Sequence, residues 1–199
     1  MTASSSRYLA VIADIDASNA HDPRLEIVDG ATRPREVVYS ERMAACLNQV
    51  YPGCSQELRI AAHAQHIERW KIPRNTYPLG REGYQSWRTA CHTHHAARTT
   101  EIMRRHGCAE ASITQVAKIL KKEDLKTDRE SQALENVVAI IFVQFYLNEF
   151  IAAHEHYDDD KLVTIMRKTL RKMDNAGHDA VVALPLPSHV RRIIEAALR

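Results

Sequence analysis

Four side chains of the types that bind metals fall within five positions at "CHTHH", residues 91–95. One short helical segment cannot wrap a tetrahedron of ligands around zinc, so Cys91, His94 and His95 do not form a self-contained site. Residues three or four apart share a helix face, and the face of His95 continues into apolar residues. We therefore expect His95 to point inward as one wall of a larger site, whereas His92 and His94 are interpreted as surface residues. A satisfied core histidine is the alternative for His95.

Two further segments could complete such a site. His66 lies in "AAHAQHIERW", where small alanines would let another helix approach closely. Glu135 lies at the head of an apolar helix, where a carboxylate is costly to bury unless it is paired, protonated or bound to a metal. The alternative for Glu135 is a first-turn acid that favours the helix dipole. Two imidazoles with carboxylates suit zinc, iron or manganese. The predicted metal ligands are therefore His66, His95 and Glu135.

The loop between His66 and His95 must cross the mouth of any pocket between them. It is rich in arginines, which offer paired hydrogen bonds to phosphate or carboxylate, and in flat aromatic rings that can stack on a base. Rings that anchor the loop and arginines in salt bridges are the competing interpretation. Glu123, in the charged turn "KKEDLKTD", is the candidate catalytic base or fourth metal ligand, although simple solvation explains it as well. The candidate ligand-binding residues are Arg69, Trp70, Arg74, Arg88, Lys122 and Lys126.

Helical periodicity dominates the segments that must position these residues. Helices are predicted over 5–19, 34–51, 56–70, 84–106, 110–122, 129–155 and 158–173, followed by two short helices divided at Pro185 and Pro187. Residues 71–83 contain two prolines and two glycines and are predicted to form a loop. Residues 137–147 are apolar nearly all round, which is typical of a buried central helix. The sequence therefore predicts a single all-α domain over residues 1–199.

The composition indicates a soluble globular protein of 199 residues with a formal net charge of +2. So small a charge, without a dense basic run, argues against nucleic acid as the main partner. No apolar stretch reaches the roughly 18 residues that span a membrane, and "MTASSSRY" lacks the apolar core of a signal peptide. The four cysteines lack CxxC spacing, so reduced thiols and a cytoplasmic location are expected. No nucleophile elbow is visible, which disfavours a serine or cysteine hydrolase.

Long motifs along the chain resemble the domain-of-unknown-function family 4202, for which no activity is settled. They are "AQHIERWKIPRNTYP", "YQSWRTACHTHHA", "KKEDLKTDRESQALENV", "LRKM" and "GHDAVVALPL", and the resemblance that they carry extends over nearly the whole chain. Asn136 stands where the resemblance leads us to expect aspartate. The resemblance implies that the family pattern contains His66, Trp70, Pro73, Arg74, Tyr77, Trp87, Arg88, His95, Glu123, Lys126 and Glu135.

The helix order also looks like that of the HD superfamily of metal-dependent phosphohydrolases, in which histidines and aspartates of separate helices converge on a metal. His66, His95 and Glu135 fall in that order, but Ala96 replaces the aspartate that would follow His95. The resemblance implies a metal-dependent phosphohydrolase that acts on a nucleotide or another small phosphorylated metabolite, with a weakly bound metal. The missing aspartate favours the alternative, a metal-free binding or regulatory module that senses an anionic metabolite. A diiron oxygenase on the same scaffold is a further alternative.

Overall fold

The computed structural model describes residues 3–199, with side chains from residue 6 onward, and is dominated by helices. The described residues form ten α-helices and one hairpin of two short strands, so the all-α prediction is confirmed. The chain divides into two compact units, the first ending at Asp124 and the second comprising Leu125–Arg199. The single domain and the HD-like arrangement of its helices stay predictions.

The helices of the first unit pack around a common core, and His66 and His95 lie in this unit. Its described elements are α1 (Ala3–Asn19), β1 (Leu25–Val28), β2 (Ala31–Pro34), α2 (Arg35–Val50), α3 (Gln56–Ala64), α4 (Gly80–Arg105) and α5 (Glu110–Lys121). Short 3-10 turns at Arg69–Lys71 and Arg74–Thr76 lie between α3 and α4. Helix α3 packs against α1, α2 and α5, and α5 also packs against α4. Fully buried side chains such as Ile15, Met43 and Ile119 belong to this core, which fixes the positions of α3 and α4.

The hairpin of the first unit is a correction to the sequence prediction, which has only a polar turn before the second helix. Strands β1 and β2 pair antiparallel, with Leu25 opposite Pro34. Asp29 and Gly30 join them with φ angles of 51° and 79°, the left-handed conformation that a two-residue hairpin turn requires. Strands of four residues are too short to show a persistent alternation of apolar and polar side chains. The Asp-Gly pair is the one local signal that could have predicted the hairpin.

The helix predicted over 56–70 is too long at its C-terminal end. Helix α3 begins after Ser55, whose side chain accepts a hydrogen bond from a backbone N–H three residues later, and it ends at Ala64. Glu68 has a φ of 53°, a left-handed conformation that interrupts any right-handed helix. His66 therefore lies in a turn that follows α3, and the spacing of residues on a helix face does not predict its direction.

The second unit consists of α6 (Arg129–Ile141), α7 (Leu147–Ala152), α8 (Asp159–Leu170), α9 (Asn175–Val182) and α10 (Ser188–Leu198). A π-helical segment, Phe142–Tyr146, joins α6 to α7, so the single helix predicted over 129–155 changes its hydrogen-bond pattern midway. The side chains of Asp128, Asp158 and Asp174 accept backbone hydrogen bonds as N-caps of α6, α8 and α9. Helix α8 packs against α10, and α6 packs against α9.

The apolar stretch of the second unit is longer than predicted from the sequence, from which no stretch long enough to span a membrane is expected. Arg129–Ala152 is long and apolar enough to cross a membrane by length and composition, a test that the core helix of a soluble protein also passes. Half of its most apolar window is buried, and Phe145 is 39% exposed, so residues 137–147 are not buried on every side. The stretch is weak evidence for a membrane span, and the expectation of no membrane partner stays a prediction.

Candidate functional site

His66 and His95 face each other in the first unit, at the centre of the candidate site. Their ring centroids are 6.0 Å apart, and the rings are inclined by 47°. His95 projects from α4 and is 2% exposed, as its apolar helix face predicts. Its Nε2 atom is buried and has no hydrogen-bond partner among the described residues. The structure thus brings together two of the predicted site residues and leaves one imidazole nitrogen unsatisfied.

Contacts from three residues hold the His66 ring. The ring stacks on Tyr39 of α2, with centroids 3.8 Å apart and planes inclined by 12°. Nη1 of Arg69 contacts the Nε2 atom of His66, and Nδ1 lies 3.2 Å from Oε2 of Glu36 without the alignment of a hydrogen bond. Nη1 of Arg69 also lies 3.2 Å from Nδ1 of this ring, and because arginine only donates hydrogen bonds, the ring nitrogen that binds it must accept. The His66 ring is therefore held between an aromatic ring, a guanidinium and a carboxylate.

Glu36 is a site residue that is not among those predicted from the sequence. It is 3% exposed and lies in the first turn of α2. Arg24 donates to its Oε1 atom at 2.5 Å and also pairs with Asp22 at 2.9 Å. Burial raises the pKa of Glu36, against the opposing charges of Arg69 and Arg24. Acidic residues are common in the first turn of a helix because they favour the helix dipole. The sequence alone therefore does not indicate that Glu36 belongs to a site.

Burial and neighbouring cations keep both histidines neutral. Burial first, and then the charges of Arg69, Lys122 and Arg24, hold the pKa of His66 well below its ordinary value. The pKa of His95 is also well below its ordinary value, because of burial and then of His66 and Arg69. A neutral imidazole can donate one hydrogen bond and accept another. The site therefore offers polar nitrogens in positively charged surroundings.

Arg69 contacts two aromatic rings, and its charge also acts on the nearby carboxylate of Glu36. Its Cζ atom lies 4.8 Å from the centre of the Trp87 ring, and its guanidinium also reaches the His66 ring. Among the described residues it forms no ion pair with a carboxylate within 4.0 Å. Trp87 is itself fixed, because its Nε1 donates a hydrogen bond to the carbonyl of Ile72 at 2.8 Å. The position of the guanidinium is thus set by two aromatic rings.

Glu68 shapes the turn between His66 and Arg69. A φ of 53° is costly for a residue other than glycine, and the Glu68 N–H donates to Oδ1 of Asn19 at 3.3 Å. The carboxylate is 8% exposed and pairs with Lys71 at 2.9 Å and with an arginine of α4 at 3.2 Å. Burial alone would raise the pKa of Glu68, but these cations outweigh burial and lower it. The anchored turn brings His66 and Arg69 within contact of each other.

Two predicted arginines of the loop have aromatic or backbone partners. Arg88 flanks the Tyr84 ring, with its Cζ atom 6.0 Å from the ring centre. Arg74 donates to the carbonyl of Tyr77 at 3.0 Å, a contact that braces the loop. Trp70, directly after Arg69, is half-buried. These residues are therefore near the candidate site in sequence, while their part in ligand binding stays a prediction.

The predicted residues at the end of α5 differ in their relation to the histidines. Lys122 closes the helix with a φ of 58°, and its charge reaches His66, whose pKa it lowers. Glu123 is exposed, and its carboxylate lies 3.7 Å from Nζ of Lys121. Its role as a catalytic base stays a prediction.

Glu135 and Lys126 belong to the second unit. Glu135 is 5% exposed on α6, and its Oε1 atom lies 3.7 Å from Nζ of Lys172. Lys126 is exposed and precedes α6. The convergence of Glu135 with His66 and His95 on one metal therefore stays a prediction.

The described residues do not assemble a complete metal site. No group of three or more His, Cys, Asp or Glu side chains in this part of the chain could hold a metal ion. Nε2 of His66 is engaged by Arg69, and only Nε2 of His95 is left without a partner within the histidine pair. Catalytic zinc sites typically have three protein ligands, and the guanidinium of Arg69 would repel a cation. The arrangement fits an anion better than a divalent metal.

An open groove of about 820 Å³ runs along α4, away from this chemistry. Small polar residues such as Thr89 and Thr93 line it together with His94, and neither His66 nor His95 belongs to its lining. We therefore place the candidate site at the two facing histidines and not in the groove.

A known family matches nearly the whole chain. Its sequence model, described as a domain of unknown function (DUF4202), covers residues 9–194. Comparison with curated proteins gives no match, and comparison with solved structures gives none either. The family match confirms the resemblance that the sequence motifs indicate. The chain belongs to the DUF4202 family.

Proposed function

We propose that the first unit binds a small phosphorylated molecule through His66, Arg69 and His95. The observation that carries the proposal is a guanidinium with no carboxylate within the 4.0 Å of an ion pair, together with a buried imidazole nitrogen that has no hydrogen-bond partner among the described residues. Polar groups withdrawn from water are costly until they find partners. The oxygens of one anion would satisfy both groups.

The distribution of charge supports an anionic ligand. Arg24 is matched by the carboxylates of Asp22 and Glu36, whereas Arg69 contacts rings. The charge of Lys122 also acts on His66. A guanidinium and phosphate oxygens have matching geometry and form strong, charge-assisted hydrogen bonds. The guanidinium of Arg69 therefore favours phosphate over a neutral or cationic ligand.

Calorimetry with inorganic phosphate and ribose 5-phosphate tests the proposal. A hydrogen bond to a charged group contributes about 1.5–3 kcal/mol, so Arg69→Gln should weaken binding roughly 10- to 100-fold. Arg104→Gln is the matched control, because Arg104 is an exposed arginine of α4 that pairs with Glu110, and affinity should not change. Equal affinities of the wild-type and Arg69→Gln proteins would contradict the proposal.

A metal-dependent phosphohydrolase is the second candidate, and the unsatisfied nitrogen of His95 favours it. A neutral imidazole with an unused nitrogen is also a common metal ligand, and Glu135 is the carboxylate predicted to join it. Elemental analysis of protein purified without chelator or affinity tag separates the candidates. A bound metal that is lost in His95→Ala, together with hydrolysis of a phosphomonoester, would favour the hydrolase. Phosphate binding by metal-free protein would favour the binding module.

A further inference from the structure

We infer that the site extends from Arg69 onto the exposed ring of Tyr84, which binds a flat aromatic group of the ligand. The inference rests on the proposed phosphate site and names its ligand class. That class is a phosphate ester that carries an aromatic ring at the distance of one sugar, as a nucleotide does. Tyr84 is one of the aromatic residues before His95 whose rings, from the sequence, could stack on a base.

Two arginines flank two aromatic rings in a row that begins next to the histidine pair. Arg69 lies against Trp87, with its Cζ atom 4.8 Å from the ring centre. The Tyr84 ring follows, with its centroid 5.7 Å from that of Trp87 and its plane inclined by 44°. Arg88 flanks Tyr84, with its Cζ atom 6.0 Å from the ring centre. The row therefore begins at the proposed phosphate anchor and ends at a second cation.

Exposure distinguishes the inner ring of this row from the outer one. Trp87 is 9% exposed and donates a hydrogen bond to the Ile72 carbonyl, so its ring serves the fold. Tyr84 is 47% exposed, so much of this residue is open to solvent beside the Arg88 guanidinium. Bases of nucleic acids stack on rings of this kind, and a neighbouring arginine strengthens the contact. The open ring therefore suits a base.

The backbone that carries Tyr84 is held by close packing. A Cβ atom at Gly83 would lie 1.9 Å from the carbonyl oxygen of Pro78, so the loop before α4 lies directly against its first turn. A ring presented from a rigid segment loses little conformational entropy on binding. The position of the backbone next to Tyr84 is thus set before the ligand arrives.

The spacing of the row is compatible with a nucleotide. The Trp87 ring centre lies 4.8 Å from Cζ of Arg69 and 5.7 Å from the Tyr84 ring centre, so the guanidinium and the Tyr84 ring are no more than about 10.5 Å apart. A ribose between phosphate and base can span a distance in this range.

Calorimetry on the full chain tests the inference by comparing adenosine 5′-monophosphate with ribose 5-phosphate. Stacking of one base should make the nucleotide bind roughly 5- to 100-fold more tightly than the sugar phosphate. Tyr84→Ala should reduce this ratio to about one, and Tyr84→Phe, which keeps the ring, should preserve it. Tyr84→Leu, which keeps apolar bulk without a planar ring, repeats the test if Tyr84→Ala does not fold.

The possible failures are distinguishable. The aromatic subsite is overturned if the wild-type protein binds the nucleotide and the sugar phosphate with equal affinity. It is also overturned if the nucleotide still binds more tightly in both Tyr84→Ala and Tyr84→Leu. Either result leaves the phosphate site in place. If none of the phosphates binds, the proposed function fails and the subsite fails with it. Phe145→Ala removes an exposed ring from the second unit, and it should leave the ratio unchanged if the effect belongs to Tyr84.

Discussion

In the second unit, Asn136 occupies the place where the family resemblance leads us to expect aspartate. Its side chain is fully buried, and its amide donates to Oδ1 of Asp174 at 2.7 Å. Its carbonyl accepts hydrogen bonds from Asp174 N at 3.2 Å and from Gln132 at 3.0 Å. Asp174 in turn caps α9 by accepting from the Gly177 N–H at 3.1 Å. Asn136 therefore holds the start of α9, a structural role that requires a hydrogen-bond donor.

Replacing this donor by a carboxylate should destabilise the protein. Asn136→Asp places a second carboxylate beside Asp174, at an expected cost of about 2–4 kcal/mol at neutral pH. The cost should shrink in acid, where protonation of the new carboxyl restores a donor. Urea denaturation at both pH values measures the effect. Asn175→Asp changes an exposed neighbour and should alter stability by less than about 0.5 kcal/mol. Equal losses in the two variants would show that Asn136 does not need its amide.

Residue type and spacing predict some of the candidate site but not its long-range contacts. The inward direction of His95 follows from the apolar face of its helix, and its 2% exposure confirms that prediction. Glu36 and Tyr39 meet His66 only because α2 folds against a turn far along the chain. No local sequence pattern predicts such a tertiary contact, so these two partners of His66 can be identified only from the folded structure.

At the scale of elements, helix ends are predictable where a local side chain supplies the cap. Ser55 caps α3 and is visible in the sequence as a helix start. The end of α3 is different, because the apolar stripe continues to Trp70 although the helix stops at Ala64. Tertiary contacts of Glu68 with α1 and α4 stabilise the turn that interrupts it. Such contacts override the local helical pattern and cannot be foreseen from it.

The close approach of the loop to α4 gives a test at the same scale. A Cβ atom at position 83 would lie 1.9 Å from the oxygen and 2.6 Å from the carbon of the Pro78 carbonyl, so Gly83→Ala must displace backbone. Overpacking of this kind costs about 1–3 kcal/mol. Gly53→Ala is the matched control, since a Cβ there meets nothing within 4 Å. Thermal denaturation of the two variants should differ clearly, and similar melting temperatures would mean that the loop yields without cost.

At the scale of the whole chain, buried titratable groups make stability depend on pH. His66 and His95 have lowered pKa values in the folded state, so the unfolded chain binds protons first as the pH falls. Their contribution to stability is therefore fully present above the unfolded value of about 6.5 and is lost as the pH falls below it. The pKa of Glu36 is instead raised in the folded state, so the contribution of Glu36 to stability is lost as the pH rises.

A double variant isolates the contribution of the histidines. Each proton that only the unfolded chain binds changes the free energy of unfolding by about 1.4 kcal/mol per pH unit. The two histidines together therefore give a slope of up to about 2.7 kcal/mol per pH unit. The free energy of unfolding of His66→Gln/His95→Gln should vary less steeply than that of the wild type between about pH 7.5 and 5.5. His156→Gln, at an exposed position, should keep the wild-type slope. An unchanged slope in the double variant would show that the folded protein already binds these protons.

The two tryptophans near Arg69 make ligand binding measurable by fluorescence. The chain has two tryptophans, of which Trp70 follows Arg69 in the sequence and Trp87 lies 4.8 Å from its guanidinium. Indole fluorescence, excited at wavelengths that tyrosine does not absorb, therefore arises entirely from this region. A ligand that draws the guanidinium toward an anion changes the electric field on the Trp87 ring and with it the emission spectrum. The protein thus carries its own label-free reporter at the candidate site.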